Sequence, residues 1–380
     1  METCRLNANH VHIGVPLPGD VYDEHGQLLL SKGQILNSQA QLDHLLERGL
    51  YVELRLFEAH FKPSAASPLP VENKFDPFLV RGTMKLSLNR LLRGITDAST
   101  SGAQIVEFAE HLEAYVHTDA EAAIAACLLD QQEESRGAAH SLSSAILSAL
   151  LAKRLNWAKE RQRSLACAAL TMNLSMMDLQ QRLFRQATPL TPVQLEQVHA
   201  HPEAALAALQ QIGITDPLWL KAVAQHHEAP SGKGYPQHLT ETLEDGQLLR
   251  IADIFFARAS ARADRPPLPP AQVIRALFVE EGQGACAPLV ATLVKTLGLY
   301  PPGSFVKLAN SEVAVVFRSG ATPQTPVAAS VKTASGMPTM QPVRRDTARA
   351  GYTVAGAVAP GKVSVGYDLG KLWITDALNS

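Results

Sequence analysis

The segment His226-His227-Glu228-Ala-Pro-Ser-Gly-Lys-Gly-Tyr235-Pro236 places two adjacent imidazoles at the end of a predicted helix and follows them with a glycine-rich turn. Neighbouring helical side chains point about 100° apart, so the two rings cannot both face a uniform core. The two rings can bind two adjacent metal ions, or one ring can bind a metal ion while the other contacts substrate. Alternatively, it is a partly exposed pair whose cationic form is favoured by the helix dipole. Spacing alone leaves both interpretations open.

Composition and charge are those of a globular protein with ample apolar surface to bury. The chain has 380 residues, of which 46% are hydrophobic and 18% charged, and its net charge is −2. Two or three structural units are expected at this length. The near-neutral balance argues against duplex nucleic acid as the main partner. No apolar run is long enough to span a bilayer, and the first residues lack the order of a signal peptide.

Cysteine usage favours a reducing, cytoplasmic setting. The four cysteines are far apart in sequence and form no CxxC pair, which argues against a disulfide framework and a zinc-thiolate site. They are Cys4, Cys127, Cys167 and Cys286.

The pattern along the chain predicts five regions. Residues 1–60 form a small α/β domain, in which short extended runs precede a helix with Leu42, Leu45, Leu46 and Leu50 on one face. Residues 61–83 are a proline-containing linker, and residues 84–300 are helical almost throughout. Residues 301–330 form a β-hairpin. Residues 331–380 are a weakly structured tail, in which residues 363–369 are predicted to add one more strand.

Asp253 is the second anchor of a candidate site. It lies in the apolar run Arg-Ile-Ala-Asp-Ile-Phe-Phe, where a buried carboxylate is costly without a cation or several donors. The cation is either a metal ion or a neighbouring arginine, Arg250 or Arg258. Histidines and an aspartate from separate helices form a ligand set that suits Fe, Mn or Zn bound for hydrolysis. Eight of the 13 histidines have no ligand-like neighbours in the sequence and are set aside as surface residues. The candidate ligands that remain in the helical region are His140, His199, His201, His226 and His227.

The segment that begins at His226 resembles the HHExxDGxGYP signature of the HD-GYP family. These proteins are metal-dependent phosphodiesterases that hydrolyse the bacterial second messenger cyclic di-GMP. His140-Ser141 resembles the family's early histidine, His201-Pro202 its HPxxG motif and Arg250-Ile-Ala-Asp253 its RILxVADxFDAL motif, and Arg262 matches the arginine that follows. The resemblance covers residues 10–330. It implies a mainly α-helical HD-type bundle with a small α/β N-terminal domain and a C-terminal β-hairpin.

The resemblance also implies a site and its ligands. The metal would be divalent Fe or Mn, with Zn as a further candidate, and the small-molecule ligand would be cyclic di-GMP or a related nucleotide. The loop would contact substrate or diguanylate cyclase-type proteins. The implied metal ligands are His140, His201, His226, His227 and Asp253, and the implied substrate or partner residues are Gly234, Tyr235, Pro236 and Arg262.

The departures from the family pattern fall on its catalytic core. Where the family has HDxGK, this chain has Met172-Asn173-Leu-Ser-Met176. A thioether replaces a histidine ligand, a neutral amide replaces a bridging carboxylate, and the lysine expected near substrate phosphate is lost. The set then carries one formal negative charge, which favours one divalent ion over two. Three further positions depart from the family pattern. Ala205 stands where the family has glycine, and Ser231 and Phe256 each stand where it has aspartate.

Three hypotheses follow from these departures. The first is a catalytically impaired regulatory or binding module of cyclic di-GMP signalling. The second is an active phosphodiesterase with a rearranged metal site, in which His199 or Glu228 compensates for the missing groups. The third is a scaffold that binds neither metal nor nucleotide.

Overall fold

The computed structural model describes residues 3–6, 17, 19–34, 36, 41, 44–45, 49–55, 75–97, 99–130 and 135–374. The chain divides into two compact units, Met1–Lys74 and Phe75–Ser380. The protein is mainly α-helical, with a small antiparallel sheet towards each end of the chain, as predicted.

The first unit is built on a four-stranded antiparallel sheet with strand order β1-β4-β2-β3. A turn at Asp23 joins β2 to β3, and its carboxylate accepts hydrogen bonds from the backbone N–H groups of His25 and Gln27. The predicted helix was wrong at its end, because Gly49 takes φ +79° and Leu50 begins a strand. Leu42 and Leu46 lie outside the described residues. The strands are β1 (Thr3–Leu6), β2 (Val21–Tyr22), β3 (Leu28–Leu30) and β4 (Leu50–Glu53).

Helices make up most of the second unit, and they begin where the sequence supplies caps. Thr191 and Gln194 form the predicted capping box, and Asp216 caps the next helix through Leu218 and Trp219. The helices are α1 (Pro77–Thr96), α2 (Gly102–Thr118), α3 (Ala120–Leu129), α4 (Arg136–Arg154), α5 (Lys159–Thr171), α6 (Met177–Arg185), α7 (Pro192–Gln211), α8 (Pro217–Gln225), α9 (Glu244–Ala259), α10 (Pro270–Glu281) and α11 (Ala287–Leu297).

Helix α1 overlaps the predicted linker. Asp76 accepts hydrogen bonds from the backbone N–H groups of Phe78 and Leu79, each 3.0 Å long, and Pro77 occupies the first turn. Residues 77–83 are therefore helical, so the linker 61–83 was wrong at its C-terminal end, and residues 61–74 lie outside the described part. The domain limits 1–60 and 84–300 stay predictions.

Helix α4 is the central helix of this unit. It packs against α1, α5 and α9, and most of its side chains are buried. Alanines and serines dominate its buried positions, which lets the neighbouring helices approach closely. His140 lies in its second turn and faces α9, so the packing of these two helices positions the first candidate site residue.

The C-terminal region contains more regular structure than the sequence predicted. Strands β5 and β6 form the predicted hairpin, but three further strands extend it into a five-stranded antiparallel sheet with the order β8-β7-β6-β5-β9. The prediction of a weakly structured tail over 331–380 was wrong for its described part. The strands are β5 (Phe305–Leu308), β6 (Val313–Arg318), β7 (Val327–Lys332), β8 (Pro338–Asp346) and β9 (Val354–Val358).

Small residues explain this error. Ala328 and Ala329 of β7 are fully buried on opposite faces of the sheet, because both faces are covered. One face packs against Leu372 and Trp373 of a last short helix, α12 (Lys371–Ile374). A strand between two covered faces needs little side-chain volume, so its alanine-rich composition was misread as loop. Residues 363–369 pack on the same cluster without forming the predicted strand.

Candidate metal centre

A cavity of about 220 Å³ lies within the helical unit and collects most of the predicted site residues. Its walls come from α1, α3, α4, α6, α7 and α9 together with the turn after α5 and the loop after α8. The residues of this wall that bear on the chemistry are His140, Asn173, Met176, His201, His227, Tyr235, Asp253 and Arg262.

Three histidines meet at this cavity. His201 lies on α7, His226 ends α8, and His227 follows it. One ring nitrogen from each lies within 4.8 Å of the others, the only group of potential metal ligands of this kind in the described part of the chain. His201 and His226 are buried, and His227 is partly exposed. The partly exposed pair considered from the sequence is therefore wrong for His226.

Backbone carbonyls fix the orientation of two of these rings. The Nδ1 of His201 lies 2.5 Å from the carbonyl oxygen of Val198, and the Nδ1 of His226 lies 2.6 Å from that of Val223. A carbonyl only accepts, so each Nδ1 carries the proton and donates it. Histidine ligands of metals are commonly oriented by such a bond on the second nitrogen.

The remaining nitrogens of the same two rings face each other. The Nε2 of His201 and the Nε2 of His226 are 3.0 Å apart. Burial lowers the pKa of His201 to about 3, and burial also lowers the pKa of His226 and that of His227, so the rings are neutral near pH 7. With Nδ1 protonated, each Nε2 then holds a lone pair, and two facing lone pairs repel each other. A cation at this place would remove the repulsion.

His140 and Asp253 form the second element of the site. The Nε2 of His140 donates to Oδ1 of Asp253 over 2.6 Å, joining α4 to α9. Burial alone would raise the pKa of Asp253, but the charge and hydrogen bond of His140 lower it, so the group is a carboxylate. The arginine alternative for its partner was wrong, since Arg250 pairs with Glu281 and Arg258 with Glu280.

The loop after α8 is fastened by Glu228. This buried carboxylate accepts hydrogen bonds from the backbone N–H groups of Gln237, at 2.6 Å, and Leu239, at 2.9 Å. Gly234 lies against the backbone of Ala229 and Glu228, where a Cβ atom would come within 2.4 Å of the Ala229 nitrogen. The loop therefore needs glycine at 234 for a packing reason, and Glu228 is occupied in holding the turn.

Tyr235 brings this loop to the histidines. Its ring stacks on His227 and on His199, with ring centroids 4.5 Å apart in each case, and its N–H donates to the carbonyl oxygen of His227. Pro236 follows through a cis peptide bond. His199 is exposed and contacts the tyrosine ring, so its observed contact is with the loop.

The positions that depart from the family pattern are divided between cavity and core. Asn173 and Met176 line the cavity, whereas Met172 is fully buried in the hydrophobic core and is not part of its wall. The backbone carbonyl of His201 accepts a hydrogen bond of 2.8 Å from the Ser175 hydroxyl, which joins this turn to α7. Side-chain direction at the end of a helix separates residues 172 and 173, and sequence alone could not supply it.

A cluster around Arg81 forms another part of the wall and was missed from the sequence. The Arg81 guanidinium donates to Asp130 at 2.5 Å, to the Ser143 hydroxyl at 2.9 Å and to the Cys127 sulfur at 3.4 Å. Lys85 also lies 3.3 Å from Asp130. An arginine and a lysine at i and i+4 on a helix read as a solvated face, and only packing reveals that both are buried.

Comparison with known proteins agrees with the motifs in the sequence. Residues 123–284 match the family model described as HD domain. The chain is 29% identical over 223 residues to "Cyclic di-GMP phosphodiesterase PA4108" of Pseudomonas aeruginosa, a match that covers 56% of this chain and 52% of that protein. The chain thus spans about half the length of this curated relative.

Among solved structures, the chain is similar to "Bd1817, a HDG"Y"P protein from Bdellovibrio bacteriovorus". The sequence identity is 14% and the TM-score 0.45, with 77% of this chain and 99% of that chain covered. No helix of the described residues has the length and apolar character that a membrane span requires.

Proposed function

We propose that the chain, as an HD-GYP-like member of the HD superfamily, is a cyclic di-GMP signalling protein that binds nucleotide beside one metal ion. In this proposal its hydrolytic activity is impaired, and the chain acts as a regulatory or binding module. The observation that carries it is the pair of Nε2 atoms of His201 and His226, which face each other 3.0 Å apart with both Nδ1 atoms already donating.

The donor set fits a single divalent ion. His201, His226 and His227 would hold it, and Asp253, with His140 behind it, lies in the same cavity. Three neutral imidazoles and a carboxylate suit Fe or Zn, and Mn where the carboxylate takes part. When bound, the ion supplies Lewis-acid polarisation of a phosphoryl oxygen.

A second ion lacks the charge it would need. Two carboxylates line the cavity, Asp253 and Asp130; the first is bonded to His140 and the second to Arg81. Asn173, at the position of the family's bridging aspartate, brings no negative charge. Hydrolysis by two ions held about 3.5–4 Å apart therefore has no bridging carboxylate here, and loss of several decades of rate is expected.

The contacts of the two candidate replacement groups weaken the alternative of an active, rearranged site. Glu228 has both carboxylate oxygens bonded to loop N–H groups, and His199 stacks on Tyr235. Neither group is free to take over the role of the missing histidine, aspartate or lysine without opening the loop.

The loop is proposed to keep a second role, as a contact for diguanylate cyclase-type signalling proteins. Its Ser231 and Lys233 are exposed, while Gly234 and Glu228 are buried and fix the turn beneath them. A loop whose backbone is held by buried contacts and whose tip is exposed is suited to docking, because it loses little conformational entropy on binding. Charge reversal by Lys233→Glu tests this role: the proposal expects weaker capture of a purified diguanylate cyclase domain, and unchanged capture would contradict it.

Metal analysis combined with cyclic di-GMP hydrolysis tests the proposal. The natural chain is expected to bind about one Fe or Zn ion and to show no turnover near the roughly 1 s⁻¹ at the lower end of ordinary enzymes. The variant Asn173→Asp, which places a carboxylate on the cavity wall, should gain metal, whereas Met172→His should not, because residue 172 lies in the hydrophobic core. Turnover by the natural chain at ordinary rates, or binding of neither metal nor nucleotide, would refute the proposal.

A further inference from the structure

We propose that Asn173 makes this cavity a binding site for a phosphate oxygen at the place where its catalytic relatives would need a second cation. The inference rests on the proposed function and names the group that recognises the nucleotide. It concerns the amide nitrogen of Asn173, a buried and unpaired hydrogen-bond donor of a residue on the cavity wall.

Asn173 is a buried donor without an acceptor. Its side chain is 2% exposed, it lines the cavity, and its Nδ2 has no hydrogen-bond partner among the residues that the structure describes. Nearly all buried polar groups of folded proteins are paired, so a donor left unpaired at a cavity wall is open to a ligand atom or a water molecule.

The turn around Asn173 holds the amide in place. Its carbonyl accepts from the N–H of Met176, and the Met172 N–H donates to Ala168 at the end of α5. The Ser175 hydroxyl, two residues on, donates to the backbone of His201. The donor is thus fixed relative to the three-histidine group, and binding would not have to order it.

The carboxylates of the cavity wall already have partners. Asp253 accepts from His140 and Asp130 accepts from Arg81. These two carboxylates are therefore not open to Asn173, and a ligand that enters the cavity can supply the acceptor. An anionic phosphate oxygen is the strongest candidate, because hydrogen bonds to a charged acceptor are about twice as strong as neutral ones.

Arg262 favours an anion in the same cavity. It lines the wall, and its Nε bonds Asp264 outside it. Met176, at the position of the family's lysine, supplies no positive charge. Recognition of a phosphate would therefore depend on Asn173 and Arg262 together with a metal at the histidines, and Asn173 becomes a specificity-determining residue.

The test compares Asn173→Asp with the natural chain in metal-free buffer and again with Mn²⁺. Binding of inorganic phosphate and of cyclic di-GMP is measured by calorimetry, and bound Mn²⁺ is counted after dialysis. The aspartate has the same shape but repels phosphate, so phosphate and nucleotide affinity should both fall at least tenfold, while bound Mn²⁺ rises. Asn173→Ala, which removes the donor without adding charge, should lower both anion affinities without raising bound Mn²⁺.

Asn310→Asp is the matched control, since it makes the same substitution at an exposed turn of the C-terminal sheet. It should leave anion and metal binding unchanged, and thermal unfolding of each variant verifies that it is folded. Unchanged phosphate affinity in Asn173→Asp and Asn173→Ala would overturn the inference, as would a natural chain that binds neither probe. A natural chain that binds phosphate through Asn173 but not cyclic di-GMP would uphold the inference and refute the proposed nucleotide.

Discussion

The Arg81 cluster and the three-histidine group line one cavity, but their buried polar groups differ in hydrogen bonding. Around Arg81, the donors of the guanidinium reach the acceptors of Asp130, Ser143 and Cys127. At the histidines, the Nε2 lone pairs of His201 and His226 face each other. The first cluster is completed by the protein, and the second requires something from outside it.

This difference separates a structural polar cluster from a ligand site better than burial does. Both clusters are buried, and both draw residues from several helices. Their hydrogen-bond balance differs, because a closed cluster pairs each donor with an acceptor and an open one leaves like groups together. Substitutions should therefore affect folding in the first cluster and ligand binding in the second.

The largest effect is expected for Arg81→Met. The variant leaves the partly buried Asp130 and the buried Ser143 without their strongest donor, and breaking such a pair costs up to about 3–5 kcal/mol of the free energy of unfolding. Urea denaturation measures it. Arg93→Met is the control, because its pair with Asp178 is exposed and should contribute less than about 1 kcal/mol. Equal losses in the two variants would contradict a closed cluster at Arg81.

His226→Ala should instead act on metal affinity. Removal of one of three ligands is expected to weaken Zn²⁺ or Fe²⁺ binding by about 100-fold or more, since loss of groups that only support ligands already costs about 10–100-fold. Competition with a fluorescent chelator measures the change. His199→Ala removes a nearby imidazole that stacks on Tyr235 and should alter metal affinity by less than about threefold. A similar loss in both variants would mean that the ligand group has been misassigned.

Glu228→Ala should loosen the loop that follows α8 and carries Tyr235 to the histidines. The variant removes two hydrogen bonds from backbone N–H groups to a carboxylate, each of which contributes at most about 1.5–3 kcal/mol. Water can replace part of this contribution by binding the freed N–H groups. Hydrogen exchange at Gln237 and Leu239 should accelerate strongly. Glu241→Ala, an exposed position in the same loop, should leave it unchanged. Preserved protection in Glu228→Ala would show that the loop is held by other contacts.

The smallest expected effect is a pH dependence of the free energy of unfolding. It arises at the half-buried ion pair of Asp119 and Arg318, which belongs to neither cluster. Burial by itself would raise the pKa of Asp119, but the hydrogen bond from Arg318 lowers it below its ordinary 3.8. A lowered folded-state pKa adds stability above about pH 4, which is lost as pH falls through the folded value. Asp119→Asn keeps the helix cap but should flatten the acid limb of the unfolding profile by about 1 kcal/mol or less. An unchanged acid limb would argue against this pair.

Much of the fold followed from local signals that the structure confirms. The helix starts at Thr191-Pro192 and Asp216-Pro217 and the hairpin after residue 301 depend on caps, prolines and alternation, which act within a few residues. The strands after β6 were missed because the burial of Ala328 and Ala329 comes from packing on both sheet faces. Composition alone cannot distinguish an alanine-rich core strand from a loop.

The sequence by itself indicated the resemblance to the HD-GYP family, the mainly helical architecture and the residue types that could bind a metal, because motifs and periodicity are local properties of the chain. Only the tertiary structure decided which of those residues meet. Three histidines lie together, and His140 is hydrogen-bonded to Asp253. Asn173 lies on the cavity wall, whereas Met172 is buried in the core. The physical reason is that donor and acceptor balance in a buried site depends on side-chain direction and on neighbours distant in sequence, which spacing along the chain does not encode.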